Sequence, residues 1–92
     1  MNKYEKASEI LKALAHPVRL QIVIGLIENE CNVTQIQEKL GLPQSTISQH
    51  LKILKNSKII KGRKEITTIC YKVINKSVKE IINILNKPKT GE

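Results

Sequence analysis

LGLPQSTISQHLKIL, residues 40–54, carries two different faces on one short stretch. Leu40, Ile47, Leu51 and Leu54 recur at helical spacings that bring them to one buried side. The other side holds Ser45, Thr46, Ser48, Gln49 and His50: hydroxyls, amides and an imidazole where a solvent-facing helix ordinarily carries Glu and Lys. Immediately upstream, Asn32 followed three residues later by Gln35 has the pattern of a capping box, opening a short helix through Leu40 that Gly41 stops. Pro43 restarts the chain as a helix reaching about Asn56. Two helices separated only by Gly41-Leu42-Pro43 predict a helix-turn-helix, whose second helix is shaped to enter a DNA major groove.

The flanks extend this unit. Tyr4, Ala7, Leu11 and Leu14 predict a first helix ending near His16-Pro17, and Pro17 suits the first position of a second, with Leu20, Val23, Ile24 and Ile27 as its apolar residues. After Asn56 the pattern changes: β-branched residues dominate 59–64 and 67–73, and Ile69, Tyr71 and Val73 alternate with Thr68, Cys70 and Lys72. This predicts a two-stranded hairpin, a wing, with Arg63 and Lys64 at its tip. Asn75 is placed to cap a fifth helix, on which Val78, Ile81, Ile82 and Leu85 form an apolar stripe before Pro88; the KPKTGE tail is expected to be disordered. The expected fold is mainly α, a winged helix-turn-helix of about five helices plus a two-stranded wing. One domain spans 1–92, with the helix-turn-helix at about 33–56, the wing at about 59–73 and the last helix at about 76–87.

Ninety-two residues bury only a modest core, so a partner chain would help, and that core must be aliphatic: fifteen Ile and nine Leu stand against no Trp, no Phe and two Tyr. No apolar run approaches the roughly 18 residues of a membrane span, and MNKYEKASEI lacks a hydrophobic leader, so a soluble cytoplasmic protein with no membrane partner is expected. Two cysteines are too few for a secreted disulfide framework. The net charge of +8 is one-sided. Residues 1–42 hold five basic and five acidic side chains, whereas 43–92 hold eleven basic against three acidic, so all of the excess begins at the quoted stretch. A basic half suits a polyanion, although a lysine-rich solubilising surface has the same composition.

Together these features make double-stranded DNA the expected partner. Hydroxyl, amide and imidazole groups bond base edges and phosphates, and an uncharged face keeps carboxylates away from the DNA backbone. Gln44, Ser45, Thr46 and Gln49 are the candidate base readers, with His50 placed for a base or a phosphate. Thr34, Gln35, Ser48 and Lys52 complete the helix-turn-helix set, and Arg63 and Lys64 would reach phosphates or the minor groove from the wing. Ser and Thr at helix starts also serve simply as caps. No Gly-rich phosphate loop, paired catalytic carboxylates or nucleophile elbow occurs, so neither an enzyme nor a cofactor is expected. The rival class is a winged-helix interaction module whose basic face meets an acidic protein.

LKALAHPVRLQIV, NVTQIQEKLGLPQSTISQHLKILKNSKII and KGRKEITTICYKV resemble the three signature blocks of the ArsR/SmtB family of winged-helix repressors, over nearly the whole chain, and within it the PagR-like branch. The resemblance implies a homodimer joined through the first and last helices, with Tyr4, Leu11, Val78, Ile81, Ile82 and Leu85 at the interface, bound to an inverted-repeat operator. It also directs attention to two metal sites. The CxC of one corresponds to Asn32 and Thr34, and the ligands of the other to Asn75, Ser77, Pro88 and Gly91, so neither donor set is present and no metal is expected. Finally, winged helices of this kind place the segment before the third helix beside the second wing strand, which would bring Cys31 near Cys70. Both then read either as small, semi-buried hydrophobes or as a redox pair that an oxidant joins, altering the fit to DNA.

Overall fold

A computed structural model describes residues 2–87; the expected tail lies outside the described residues from position 88 onward. Five helices and one hairpin follow in the order α1 (Lys3–Leu14), α2 (Pro17–Glu28), α3 (Val33–Leu40), α4 (Gln44–Asn56), β1 (Ile60–Lys64), β2 (Ile69–Val73) and α5 (Lys76–Asn86). The fold is a winged helix-turn-helix.

Local chemistry explains most of the boundaries. Asn2 accepts from the Glu5 N–H at 2.9 Å while Glu5 reaches back to the Asn2 N–H, a reciprocal cap that starts α1. His16 caps α2 through Nδ1, which accepts from the Val18 N–H at 3.1 Å, with Pro17 at the first helical position. Gly41 ends α3 at φ 67°, in the left-handed region, where its N–H meets the Gln37 and Glu38 carbonyls. Asn32 does precede α3, but its side chain makes no capping bond: at φ −93° and ψ 24° its backbone is not extended, so the expected capping box does not form. Pro43 stands just before α4 rather than within it.

Ile22, Val23 and Leu26 of α2, Ile47, Leu51 and Leu54 of α4, Ile59, Ile60 and Val73 of the wing base and Val78 and Ile82 of α5 form one aliphatic core with Ala13, Leu14 and Ile36. α2 is its centre, packed on α1, α3, α4 and β2. Gly25 makes the α2–α3 approach possible: a Cβ there would stand 2.7 Å from Ile36 Cδ1. The strands pair antiparallel from Ile60↔Val73 to Lys64↔Ile69. Strand order is confined to these residues because Glu65–Thr68 turn the tip, the Glu65 N–H donating to the Thr68 carbonyl at 2.8 Å. No single described helix is long and apolar enough to cross a membrane.

Candidate nucleic-acid interface

The buried stripe of α4 determines what its other side can do. Ile47, Leu51 and Leu54 anchor the helix, so residues half a turn away face outward: Ser45, Gln49, Lys52 and Asn56 at i, i+4, i+7 and i+11, with Ser48 and Gln44 toward the wing, all exposed. Thr34 and Gln35 are exposed at the start of α3. An open groove of about 420 Å³ separates α3 and α4 from the wing, with Thr34, Gln44 and Ser48 on one wall and Lys64, Thr67 and Thr68 on the other. Thr46 is half-buried on the flank of α4.

His50 does not share the outward face. Its half-buried ring turns toward the α1–α2 junction, where Nδ1 accepts from Arg19 Nη1 at 3.2 Å and the ring stacks tilted against His16, centroids 4.6 Å apart. Arg19 also donates from Nε to the Ala13 carbonyl, tying the end of α1 to α2 and α4. Burial, then the neighbouring His16 and Arg19 charges, hold the His50 pKa below its ordinary 6.5. Both effects favour the neutral imidazole, which is packed as a joint behind α4.

On the wing, Arg63 and Lys64 are exposed, and Arg63 Nη2 pairs with Glu65 Oε2 at 3.1 Å, both side chains well solvated. Such a pair is worth roughly 0–1 kcal/mol, so Arg63 can exchange Glu65 for a phosphate at little cost. Ile66, at the tip, is 99% exposed. Glu65, Ile66 and Arg19 were not singled out by the sequence pattern. A lone carboxylate or Ile in a turn carries no periodic signal, and Arg19 owes its role to residues on two other helices.

Cys31 and Cys70 are joined as a disulfide, their Cα atoms 4.3 Å apart. Cys31, in the α2–α3 turn, adopts φ 64°, and its N–H donates to the Tyr71 carbonyl at 3.1 Å. Cys70, opposite Arg63 in the ladder, is buried. Ile69, at the outer end of the wing, is 49% exposed, whereas Val73 at its base is in the core. The residues expected at a dimer interface divide. Tyr4, Leu11 and Leu85 are exposed, and Ile81 is half-buried. Val78 and Ile82 are consumed by the chain's own core, 0% and 3% exposed, and are not available to a partner; Ile84, 72% exposed, is the outward residue that the stripe reading left out.

The same arrangement occurs in known proteins. The family model of bacterial regulatory proteins of the arsR type matches residues 16–61, from the His16 cap to the start of the first wing strand. An uncharacterized HTH-type transcriptional regulator of Methanocaldococcus jannaschii is 48% identical over 88 residues, covering 95% of this chain and 99% of that one. The transcriptional repressor PagR of Bacillus anthracis is 45% identical over 83 residues, 89% of this chain and 83% of PagR. Among solved structures, HlyU of Vibrio cholerae, named a transcriptional activator, superposes with a TM-score of 0.85 at 39% identity, over 95% of this chain and 96% of HlyU. A fragment of a Mycobacterium bovis protein described as a homodimeric winged helix-turn-helix DNA-binding domain matches with a TM-score of 0.79 at 28% identity, over 90% of this chain and 77% of the fragment. A recognition helix, its preceding turn and a basic wing, matched in sequence along almost the full chain, make this protein a member of the ArsR family of bacterial regulatory proteins.

Proposed function

We propose that the protein is a sequence-specific DNA-binding transcriptional repressor that acts as a homodimer on an inverted-repeat operator in the cytoplasm. The observation that carries this reading is the outward face of α4, where Ser45, Gln49 and Lys52 are exposed opposite a buried anchor, beside a wing bearing Arg63 and Lys64. α4 supplies base contacts and the wing supplies phosphate contacts. The homodimer is supported by the apolar residues that α1 and α5 leave in solvent, Tyr4, Leu11, Ile84 and Leu85. PagR's description as a repressor favours repression; HlyU's description as an activator makes activation the second reading. Footprinting of bound genomic sites, with reporter output measured in a strain lacking the protein, separates them. Derepression at footprinted promoters is expected, and loss of output there would replace repression with activation.

The Cys31–Cys70 pair adds thiol control to this reading. The bond links the turn before α3 to β2, so making or breaking it changes how firmly the wing is held against the helix-turn-helix. Promoter affinity before and after mild oxidation, in the parent and in Cys31→Ser, is the test. A change in the parent that disappears in Cys31→Ser is expected; an affinity unaffected by oxidation, or affected equally in both, removes thiol control and leaves the DNA reading intact. An interaction module for an acidic protein would instead show no preference for its own promoter over random duplex at moderate salt.

A further inference from the structure

Cys31, Glu65 and Cys70 each bring one ligand atom within 4.8 Å of the other two. They arrive from three separate pieces of chain: the α2–α3 turn, the wing tip and β2. Cys31 lies in the left-handed region, which side-chain-bearing residues enter at a cost, and its N–H is held by the Tyr71 carbonyl. That backbone bond does not involve sulfur. Reduction of the disulfide therefore leaves two thiols side by side, with the solvated Glu65 carboxylate next to them.

Two thiolates and a carboxylate are a donor set for a tetrahedral ion of the zinc class, with the fourth position left to water. Zinc–sulfur distances of about 2.3 Å require the sulfurs to separate to about 3.8 Å, which rotation about the two Cα–Cβ bonds supplies. Charge is also balanced: two thiolates and one carboxylate total three negative charges, against a divalent cation and the Arg63 guanidinium that already bonds Glu65. Arg63 then stands as a neighbour of the site and not as a ligand. We propose that the reduced protein binds a thiophilic divalent cation through Cys31, Cys70 and Glu65, so that metal and disulfide are alternative occupants of one joint between the helix-turn-helix and the wing.

Binding forms two metal–sulfur bonds and one metal–oxygen bond in place of bonds from the cation to its coordinated waters, which leave with the two thiol protons to solvent, and it transfers no electrons. Hydrogen peroxide closes the joint the other way: the two thiolates lose two electrons to form the S–S bond, the hydrogen peroxide takes them with two protons to give two waters, and the cation leaves. This inference goes beyond the thiol control proposed above and does not depend on any effect on DNA. The donor set also differs from the two family sites whose positions here are Asn32 with Thr34, and Asn75 with Ser77, Pro88 and Gly91.

The test is an anaerobic titration of the reduced full chain with cadmium(II), read by thiolate-to-cadmium ultraviolet absorption and reversed by zinc(II). Saturation at one ion per chain is expected, absent from the peroxide-oxidised protein and from Cys31→Ser and Cys70→Ala. Glu65→Gln should weaken binding by about tenfold or more, whereas Arg63→Gln, which breaks the same wing ion pair but leaves the carboxylate, should not weaken it. Equal losses in Glu65→Gln and Arg63→Gln would assign the effect to wing structure and overturn the site. So would saturation at one ion per two chains, or an affinity unchanged by Glu65→Gln. Each of these outcomes leaves the oxidation test of promoter affinity untouched.

Discussion

In the proposed complex, Gln49 and Arg63 would hold a duplex in two different ways. The Gln49 amide, on the outward face of α4, donates and accepts in one plane and so can discriminate a base pair. The Arg63 guanidinium, solvated on the wing, has only charge and donors to offer a phosphate. Gln49→Ala should therefore cost about 1–3 kcal/mol on the operator and little on random duplex, while Arg63→Ala should weaken both alike and flatten the salt dependence. Fluorescence anisotropy on the two duplexes separates the cases, and an Arg63→Ala effect confined to the operator would reverse the assignment. His50 supplies a different kind of prediction. Its pKa in the folded chain lies below 6.5, so below pH 6.5 the unfolded chain takes up the proton first. The contribution of His50 is fully present above pH 6.5 and is lost as the pH falls from there through the folded pKa. Melting curves across this window should show a loss that His50→Gln reduces; coincident pH profiles for parent and variant would detach the imidazole from the Arg19–His16 joint.

At the scale of elements, what was legible in the sequence follows from what a period can encode. Ile47, Leu51 and Leu54 repeat with the helix, so both the anchor of α4 and the face opposite it could be read directly. His50 belongs to the same run of polar letters, but its partner Arg19 is 31 residues away, and no local pattern reveals that pairing. Asn32 failed as a side-chain cap because Cys31 delivers the chain to it in an unusual conformation, again for the sake of a distant residue, Tyr71. On α5, Leu85 continues the stripe of Val78 and Ile82 one turn onward, yet it is 69% exposed because the stripe runs past the end of the core. Periodicity marks apolar positions but not what covers them. The end of α4 shows a cost the chain tolerates. Lys58, at φ 61°, occupies the position that favours glycine, with its N–H on the Lys55 carbonyl and the Ile59 N–H on that of Leu54. Relief of a left-handed Lys, roughly 1–2 kcal/mol, exceeds the extra chain entropy of glycine, so Lys58→Gly should stabilise the fold by about 0.5–1 kcal/mol. Urea unfolding measures this, and a lower midpoint would contradict the cap.

For the whole molecule, two surfaces matter: the basic face, and the apolar residues that α1 and α5 leave in solvent. Tyr4, Leu11, Ile84 and Leu85 are 75%, 52%, 72% and 69% exposed, a concentration of large apolar side chains on the two terminal helices that a second copy would cover. Ile84→Asp and Leu85→Asp should raise the dimer dissociation constant at least tenfold with little change in protomer stability, since neither residue is in the core. Sedimentation at micromolar concentration reads this, and a parent protein that is already monomeric there would remove the dimer. In the proposed dimer, operator recognition would depend on both surfaces at once, because two recognition helices about one helical turn apart read an inverted repeat only if the protomers are joined. The most direct measurement is the stoichiometry and salt dependence of binding to a duplex carrying the inverted repeat of a footprinted promoter, alongside a scrambled duplex. Two chains per operator duplex, a clear preference over the scrambled sequence and an affinity falling steeply with salt as displaced phosphate counterions require are the expected result. One chain per duplex, or equal affinity for the two sequences at moderate salt, would contradict a dimeric, sequence-reading repressor.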